Sequence, residues 1–135
     1  MTDTTQQHAD MNGLMAAADA IVTAFGRHDR DTYFAGFAPE ATFLFYTLEE
    51  PLASRAAYQQ QWQRWEEDDG FRVHACRSTD RLARIVGDTG IFVHRVETDL
   101  EMGGERLTSQ ERETIVFRRT DAGGWLAIHE HLSAG

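Results

Sequence analysis

The last strand-like segment of the chain, residues 125–133, contains the residues best suited to chemistry. Its side chains alternate between two faces, because successive residues of a β-strand point in opposite directions. One face carries Glu130 in a row of aliphatic residues, and the other carries His129 and His131. A carboxyl group in apolar surroundings can act as a general acid or base near neutral pH, whereas two imidazoles at this spacing can bind a metal. The face that points inward therefore decides the chemistry.

Two further alternating segments supply candidate partners for Glu130. In residues 105–120 the more apolar face carries Glu113, and in residues 89–102 one apolar face carries Arg95. We expect these faces to pack against the helices, because burial of apolar area is the main driving force of folding. The apolar residues that support this choice are Ile91, Val93, Ile115, Phe117, Ile128 and Leu132. The pattern predicts that Glu113, Glu130 and Arg95 converge in one concave region, where ion pairing would offset their burial.

These residues define a catalytic hypothesis. Glu130 would be the general acid or base, Glu113 an orienting carboxylate, and Arg95 the stabiliser of an anionic substrate or enolate. A purely structural ion pair of Glu130 with Arg95 or Arg112 is the alternative. Small-molecule sites are mostly apolar, and the residues predicted to line this one are Tyr46, Tyr58, Trp62, Phe117 and Ile128. A place in the hydrophobic core is the alternative for the aromatic residues.

The histidine face permits a different interpretation. A metal site formed by His94, His129 and His131 is one alternative, because zinc needs at least three protein ligands. The preferred interpretation is a hydrogen-bonded histidine pair on a convex face that meets a second subunit, since mixed polar and aromatic patches commonly form interfaces. We therefore expect no metal, no cofactor, and a homodimer formed through the sheet.

Three helices are predicted ahead of the long strands. The first has a helical stripe of apolar residues, the second is short and spans residues 31–37 before Pro39, and the third runs from an N-cap at Ser54 to Glu67. The apolar stripe of the first helix consists of Leu14, Ala18, Ile21, Val22 and Phe25. The strands are predicted at residues 41–47, 71–86, 89–102, 105–120 and 125–133.

This order of elements predicts an α+β fold. We expect a cone-shaped roll in which three N-terminal helices pack on a strongly curved, mostly antiparallel sheet. Residues 11–135 would form a single domain, preceded by a disordered tail at residues 1–10. A chain of 135 residues suits one hydrophobic core.

Composition narrows the classes of partner. The formal net charge of −9 argues against nucleic acid and against anionic membranes. All 13 basic residues are arginine, which excludes chemistry through a lysine Schiff base. Cys76 is the single cysteine, so an internal disulfide is impossible and a cytoplasmic location is expected. No apolar run approaches the roughly 20 residues of a membrane span.

Several strings resemble the SnoaL-like branch of the nuclear-transport-factor-two-like superfamily, which is also described as cystatin-like and ketosteroid-isomerase-like. The strings are Phe37-Ala-Pro-Glu-Ala-Thr-Phe43, Ser54-Arg55 before the tryptophan-bearing helix, Glu111-Arg-Glu-Thr114, and Trp125 followed by His129-Glu-His131-Leu-Ser133. They are similar also to the association domain of calcium/calmodulin-dependent kinases, in which a Glu-Thr strand precedes a tryptophan and a His-x-His-x-Ser string.

The resemblance implies a cone with a pocket at its mouth, usually in a dimer. Members include isomerases, cyclases, dehydratases, epoxide hydrolases and non-catalytic assembly domains, so the fold does not assign a reaction. The kinase association domains bind small carboxylates in an arginine-lined pocket. Arg95 stands where one of those arginines would be, but Ile115 and Leu132 stand at two other arginine positions.

The leading functional prediction is a small cofactor-independent enzyme. It would act by general acid/base proton transfer on an apolar, oxygenated small molecule, as an isomerase, cyclase or dehydratase, the last being a lyase. The first alternative is a non-catalytic domain for small-ligand binding or dimerisation. The second alternative is a metal-dependent enzyme that uses His129 and His131.

Overall fold

The computed structural model describes residues 4–135 and contains three helices and five strands. The helices are α1 (Thr4–Gly26), α2 (Arg30–Ala35) and α3 (Arg55–Asp69). The strands are β1 (Phe37–Phe45), β2 (Arg72–Val86), β3 (Thr89–Met102), β4 (Glu105–Arg119) and β5 (Trp125–Ala134).

The five strands form one sheet in the order β1-β5-β4-β3-β2. Strand β1 runs parallel to β5, and the other three pairings are antiparallel. The helices pack on one face of this curved sheet, which confirms the predicted α+β fold class. Register shifts interrupt β2 twice and the β4–β5 pairing once, and such bulges bend a strand and increase its twist. Strands of up to 15 residues can therefore wrap around the helices.

The ends of α3 follow from local sequence. The Ser54 hydroxyl accepts a hydrogen bond from the backbone N–H of Ala57, as expected of an N-cap. Gly70 ends the helix in the left-handed region at φ 63°, and its N–H donates to the carbonyl of Trp65. The start agrees with the sequence prediction, whereas the helix ends at Asp69, two residues beyond the predicted Glu67.

The boundary between α2 and β1 differs from the prediction. Helix α2 ends at Ala35, and β1 already begins at Phe37, so Pro39 lies inside the strand. Strand β1 is at the edge of the sheet, where a residue without a backbone N–H is tolerated. Proline therefore did not mark the end of the helix here.

Helix α1 begins further toward the N-terminus than the sequence suggested. Residues 4–10 of the predicted disordered tail are helical in α1, and residues 1–3 of that tail lie outside the described residues. A single domain at residues 11–135 stays a prediction. In residues 4–135, no helix has both the length and the apolar character needed to cross a membrane.

The core between the helices and the sheet is rich in aromatic side chains. Trp62 and Phe117 are fully buried in it. The largest fully buried side chains besides these two are Tyr33, Phe34, Phe37, Phe43, Phe92, Leu14, Ile115 and His94. Two of the aromatic residues predicted to line a ligand site, Trp62 and Phe117, therefore belong to the core.

The inward face of β3 is opposite to the predicted one. Phe92, His94 and Val96 are buried, whereas Arg95 is exposed. The prediction placed the row of Ile91, Val93 and Arg95 inward. The row with Arg95 also carries Glu97 and Asp99, whereas the buried row continues with Thr98 and Leu100, so the prediction gave too much weight to Ile91 and Val93. The pairing of His94 with Glu113 on β4 determines the inward row.

Strand β5 changes face at a bulge. Its pairing with β4 skips Ile128, since His129 pairs with Val116 and Ala127 pairs with Phe117. Ala127 and Glu130 are consequently both buried although they are three residues apart. The inward position of Glu130 agrees with the predicted orientation, but that of Ile128 does not.

Candidate functional site

A cavity of about 450 Å³ lies between the helices and the inner face of the sheet. Its wall is mostly apolar and includes Phe25 of α1, Trp65 of α3, and Val96 and Leu100 of β3. Glu113 and Glu130 also line it. An apolar cavity with a few convergent polar groups is the usual form of a small-molecule site.

Glu113 and Glu130 form a carboxyl pair in the cavity wall. Glu113 pairs with Leu132 and Glu130 pairs with Ile115, so the two glutamates are diagonal neighbours on β4 and β5. Their side chains are hydrogen-bonded to each other. Glu130 is 4% exposed, and the side chain of Glu113 is 12% exposed. Two carboxyl groups this close share a proton, because both cannot be ionised without strong repulsion.

The pKa values of both carboxyl groups are raised. Burial raises the pKa of Glu113 to about 7, and the charge of Glu111 acts in the same direction. Burial and the proximity of Glu113 raise the pKa of Glu130 well above its usual range. At neutral pH the pair therefore holds at least one proton, which makes it both a proton donor and a proton acceptor.

Two tyrosines support the pair from the helix side. The Tyr33 hydroxyl donates to Glu130 at 3.1 Å from Oε2, and it lies 3.0 Å from the Tyr58 hydroxyl. Burial, and next the charge of Glu130, raise the pKa of both phenols well above 10, so both remain protonated donors. Tyr33 comes from α2 and Tyr58 from α3, so the docking of two helices on the sheet assembles this part of the site.

A histidine and a serine support Glu113 from the sheet. His94 Nε2 lies 2.8 Å from Glu113 Oε1, and His94 Nδ1 lies 2.6 Å from Ser78 Oγ. Burial first, and the charge of Arg81 second, lower the pKa of His94 to about 4. The imidazole is therefore neutral at physiological pH.

The titratable carboxyl groups in the cavity wall make it acidic. Glu111 lies in it beside Tyr46, whose hydroxyl donates to Glu111 Oε2 at 2.7 Å. Tyr46 is 51% exposed, which places this contact at the mouth. Among residues 4–135, the residues lining the cavity include no arginine and no histidine. The wall suits a neutral or cationic ligand, not a carboxylate.

The structure brings Glu113 and Glu130 together as the sequence predicted, but it does not bring Arg95 to them. The Arg95 side chain is 48% exposed, and its Nε lies 3.2 Å from Asp80 Oδ2. The predicted convergence of Arg95 with the two glutamates is wrong, because β3 presents its other row inward. The alternative ion pair of Glu130 with Arg95 or Arg112 is also absent from the ion pairs of the described residues.

The predicted wall residues divide into two groups. Tyr46 and Tyr58 line the cavity, whereas Trp62, Phe117 and Ile128 do not. Trp62 and Phe117 are fully buried in the core, and Ile128 is the bulged residue of β5. Sequence reasoning missed Tyr33, Trp65, His94 and Ser78 as parts or supports of the site. For Trp65 the signal was present, since it shares a helical stripe with Tyr58.

The histidines do not assemble as a metal site. His94 faces inward, whereas His129 and His131 lie on the outer face of β5, with ring centroids 6.5 Å apart. His129 Nδ1 lies 2.8 Å from the Thr42 hydroxyl. Among residues 4–135 there is no group of three or more histidine, cysteine or acidic side chains placed to hold a metal. The predicted alternative ligand set His94, His129 and His131 is therefore wrong.

The fold and the buried pair define an α+β protein with a ligand-sized cavity, and comparison with known families agrees. The sequence profile of the SnoaL-like domain matches residues 14–135. Because the match covers most of the chain, the protein belongs to the SnoaL-like family, within the nuclear-transport-factor-two-like fold. The family resemblance expected from sequence is confirmed.

Solved structures show the same architecture. An NTF2-like protein from Cytophaga hutchinsonii superposes with a TM-score of 0.78 at 17% identity, over 93% of this chain and 98% of the other. A ketosteroid isomerase-like protein from Erwinia carotovora atroseptica gives a TM-score of 0.77 at 17% identity, over 93% of this chain and 95% of the other. An NTF2-like superfamily protein from Salmonella enterica gives a TM-score of 0.80 at 12% identity, over 95% of this chain and 92% of the other. At these identities the likeness establishes the fold alone. No curated protein sequence matches the chain.

Proposed function

We propose that the protein is a general acid/base enzyme that moves a proton on a neutral, apolar, oxygenated small molecule in the cavity. The observation that carries this proposal is the buried Glu113–Glu130 pair, which opens into an apolar cavity and holds a proton at neutral pH. A carboxyl with a pKa near the working pH is an efficient proton-transfer group.

The pair supports a complete proton-transfer step. The ionised carboxylate takes a proton from the carbon next to a substrate carbonyl, and the C–H electron pair becomes the C=C bond of an enol. The carbonyl π pair moves to oxygen, which takes the proton of the other carboxyl. Return of a proton at a different carbon completes an isomerisation. In a dehydration, the carboxyl that took the C–H proton gives it to a β-hydroxyl, which leaves as water, while the enol returns its proton to the other carboxylate and the C=O bond re-forms.

The wall supports the choice of substrate class. Apolar side chains cover most of the cavity, and the polar groups gather at Glu113–Glu130 and at the mouth near Glu111. An anionic substrate would meet acidic groups with no cation among the described lining residues. A carbonyl or hydroxyl on an otherwise apolar body matches both features.

The experiment is solvent exchange of carbon-bound hydrogen. The protein is incubated in D₂O with a panel of neutral cyclic ketones, and loss of the α-proton signal is followed by NMR. We expect exchange above the buffer rate for at least one ketone, and a decrease of about 100-fold or more in Glu113→Gln and Glu130→Gln.

Glu97→Gln is the matched control, because Glu97 lies on the outer row of β3 and pairs with Arg77. It should exchange like the unmodified protein. Full activity in both cavity variants would disprove the assignment, as would the absence of exchange with every ketone and every hydroxylated analogue tested for dehydration.

A binding function without catalysis is the second candidate. It is favoured by the fact that each carboxyl of the pair has a hydrogen-bond partner within the protein, namely Tyr33 for Glu130 and His94 for Glu113. Thermal stabilisation by neutral ketones or alcohols, with no exchange and no dehydration, would support it.

We propose in addition that a second copy of the chain covers the outer face of the sheet. Leu82 is 68% exposed and Leu44 is 39% exposed, and a row of paired residues joins them across β3, β4 and β5 through Val93, Thr114 and His131. Exposed apolar groups within a mixed polar row are typical of subunit interfaces.

Light scattering tests this proposal. We expect the unmodified protein to be a dimer and the double variant Leu82→Asp with Leu44→Asp to be a monomer. The control variant Gln63→Asp, on α3, should remain a dimer. A monomer before mutation would disprove this proposal.

A further inference from the structure

His94 is a buried side chain with a titratable group that the proposed proton transfer does not use. It is 1% exposed and does not line the cavity. Strand β3 places it directly opposite Glu113 of β4. Its two ring nitrogens are both occupied, by Glu113 Oε1 at 2.8 Å and by Ser78 Oγ at 2.6 Å. A buried imidazole with both nitrogens bonded has a fixed orientation and a defined tautomer.

The hydrogen bonds around the pair form one chain that connects four strands, β2 to β5, with the two helices α2 and α3. Tyr33 has a single hydroxyl hydrogen, and when it donates this hydrogen to Glu130, Tyr58 must donate to the Tyr33 oxygen. Protonated Glu130 then donates to Glu113. Each hydrogen on this side is used once, and the sequence of donors ends on Glu113.

The other side of the chain ends on the same residue. If the Ser78 hydroxyl donates to His94 Nδ1, the neutral ring carries its hydrogen on Nε2 and donates it to Glu113 Oε1. Outside the pair, each carboxyl has one donor among the described residues, but that of Glu113 is closer, since His94 Nε2 lies 2.8 Å away and the Tyr33 hydroxyl lies 3.1 Å from Glu130. The Glu113 side chain is also 12% exposed, whereas Glu130 is 4% exposed. A carboxylate with the shorter hydrogen bond and more access to water is the better place for the negative charge.

The charged surroundings of His94 keep it a neutral donor. The charge of Arg81 of β2 acts on the ring; Arg81 pairs with Asp19 of α1, and its Cζ lies 5.0 Å from the centroid of the Phe92 ring. Glu113 of β4 and Glu130 of β5 are the acidic groups that face the ring. Burial is the main cause that lowers the pKa of His94, and the charge of Arg81 adds to it against the opposing effect of Glu130, so the ring donates a hydrogen bond without taking a second proton.

We propose that His94 is a positioning residue which, with its tautomer set by Ser78, keeps the negative charge of the pair on Glu113 and leaves the proton on Glu130. Glu113 is then the base and Glu130 the acid of the reaction. This inference rests on the proposed function for its catalytic meaning, but the charge distribution is a property of the ligand-free protein and can be measured without a substrate.

The test is a carboxyl titration by ¹³C NMR in protein labelled at the glutamate side-chain carboxyl, with Glu113→Gln and Glu130→Gln used for assignment. In His94→Leu, which removes the donor, we expect the apparent pKa of Glu113 to rise by about one unit. In His94→Gln, whose amide N–H can replace Nε2–H, we expect the titration to stay near that of the unmodified protein. Equal shifts in the two variants, or no shift in His94→Leu, would overturn the proposal.

Ser78→Ala provides a second measurement that does not remove a large buried side chain. In the unmodified protein, ¹⁵N shifts of the imidazole should show hydrogen on Nε2 and none on Nδ1. In Ser78→Ala, we expect the other tautomer to be populated and the Glu113 titration to move upward. An Nδ1–H tautomer in the unmodified protein would overturn the proposal, even if neither His94 variant folds.

The two proposals fail in different ways. Should no substrate show exchange while the titrations behave as expected, the charge distribution stands and the enzymatic function does not. Should exchange occur without any effect of His94 on the Glu113 titration, the enzyme stands without this positioning role. For an active substrate, the lower limb of the pH–rate profile should shift upward in His94→Leu and stay in place in His94→Gln.

Discussion

The hydroxyl of Tyr33 lies 3.1 Å from Glu130 Oε2, although the two residues are 97 positions apart in the chain. Tyr33 is 2% exposed and Glu130 is 4% exposed. The contact joins the short helix α2 to the last strand and fixes one oxygen of the carboxyl pair. It therefore links the stability of the helix layer to the geometry of the site.

Removal of this donor should destabilise the protein. We expect Tyr33→Phe to lower the free energy of unfolding by about 1–3 kcal/mol, because a buried carboxyl oxygen loses its partner. Urea denaturation at pH 7 measures the change. Tyr58→Phe is the comparison, since Tyr58 reaches the pair only through Tyr33, and its cost should be smaller. A Tyr33→Phe variant as stable as the unmodified protein would show that this hydrogen bond is not formed.

Stability should depend on pH through the carboxyl pair. The pKa of Glu113 is about 7 in the folded protein against an ordinary 4.5, and that of Glu130 is raised as well. Between the unfolded and folded values the folded state binds more protons, so stability decreases as pH rises through this window. For Glu113 alone the change is on the order of 3 kcal/mol.

His94 acts in the opposite direction at lower pH. Its pKa is about 4 in the folded protein against 6.5, so the unfolded state binds more protons below pH 6.5 and stability is lost as pH falls toward 4.

A variant of Glu130 tests the effect of the carboxyl pair. Because the pair costs stability as pH rises, we expect Glu130→Gln to be more stable than the unmodified protein at pH 8.5 and to lose that advantage at pH 5.5. Urea denaturation at both pH values measures this, and a difference independent of pH would contradict it.

Cys76 should react slowly. Burial raises the pKa of its thiol to about 12, and its side chain lies in the cavity wall. Because only the thiolate reacts, alkylation by iodoacetamide at pH 8 should be about 100-fold slower than in the urea-unfolded protein. A cavity ligand should slow it further. Mass spectrometry follows the labelling, and equal rates in folded and unfolded protein would contradict the burial of the thiol.

Substitution of Gly90 by alanine should destabilise the protein. A Cβ at this position would lie 2.6 Å from Leu14 Cδ1, where α1 crosses β3. We expect Gly90→Ala to reduce the free energy of unfolding by about 1–3 kcal/mol, because helix and strand must separate slightly. Gly124→Ala is the control, since its Cβ would meet only Thr120 Oγ1 at 3.5 Å. Equal stabilities of the two variants would show that the helix moves freely.

Local sequence patterns were sufficient for most of the secondary structure. The N-cap at Ser54 and the left-handed stop at Gly70 bound α3, and the alternation of β4 correctly predicted Glu113, Ile115 and Phe117 on the inner face. These features depend on neighbours within a few residues, so they can be read before any tertiary contact is known.

The orientation of β3 was predicted wrongly from its first residues. Ile91 and Val93 on one row are about as apolar as Phe92 and Val96 on the other, although the first row continues with charged residues. The pairing of His94 with Glu113 on β4 and the packing of α1 on Gly90 choose between the rows. For the same reason Arg95 was assigned to the site when it belongs to the surface.

The chain by itself determined the fold family, the alternating strands and the inward carboxyl of Glu130, because each follows from periodicity and nearby residues. Only the tertiary structure decided which groups surround that carboxyl. Glu113 was expected there, but Tyr33, Tyr58, His94 and Ser78 come from two helices and two other strands, and their meeting depends on register, a bulge in β5 and helix docking. Those are long-range packing choices between alternatives of nearly equal hydrophobicity, and local sequence does not distinguish them.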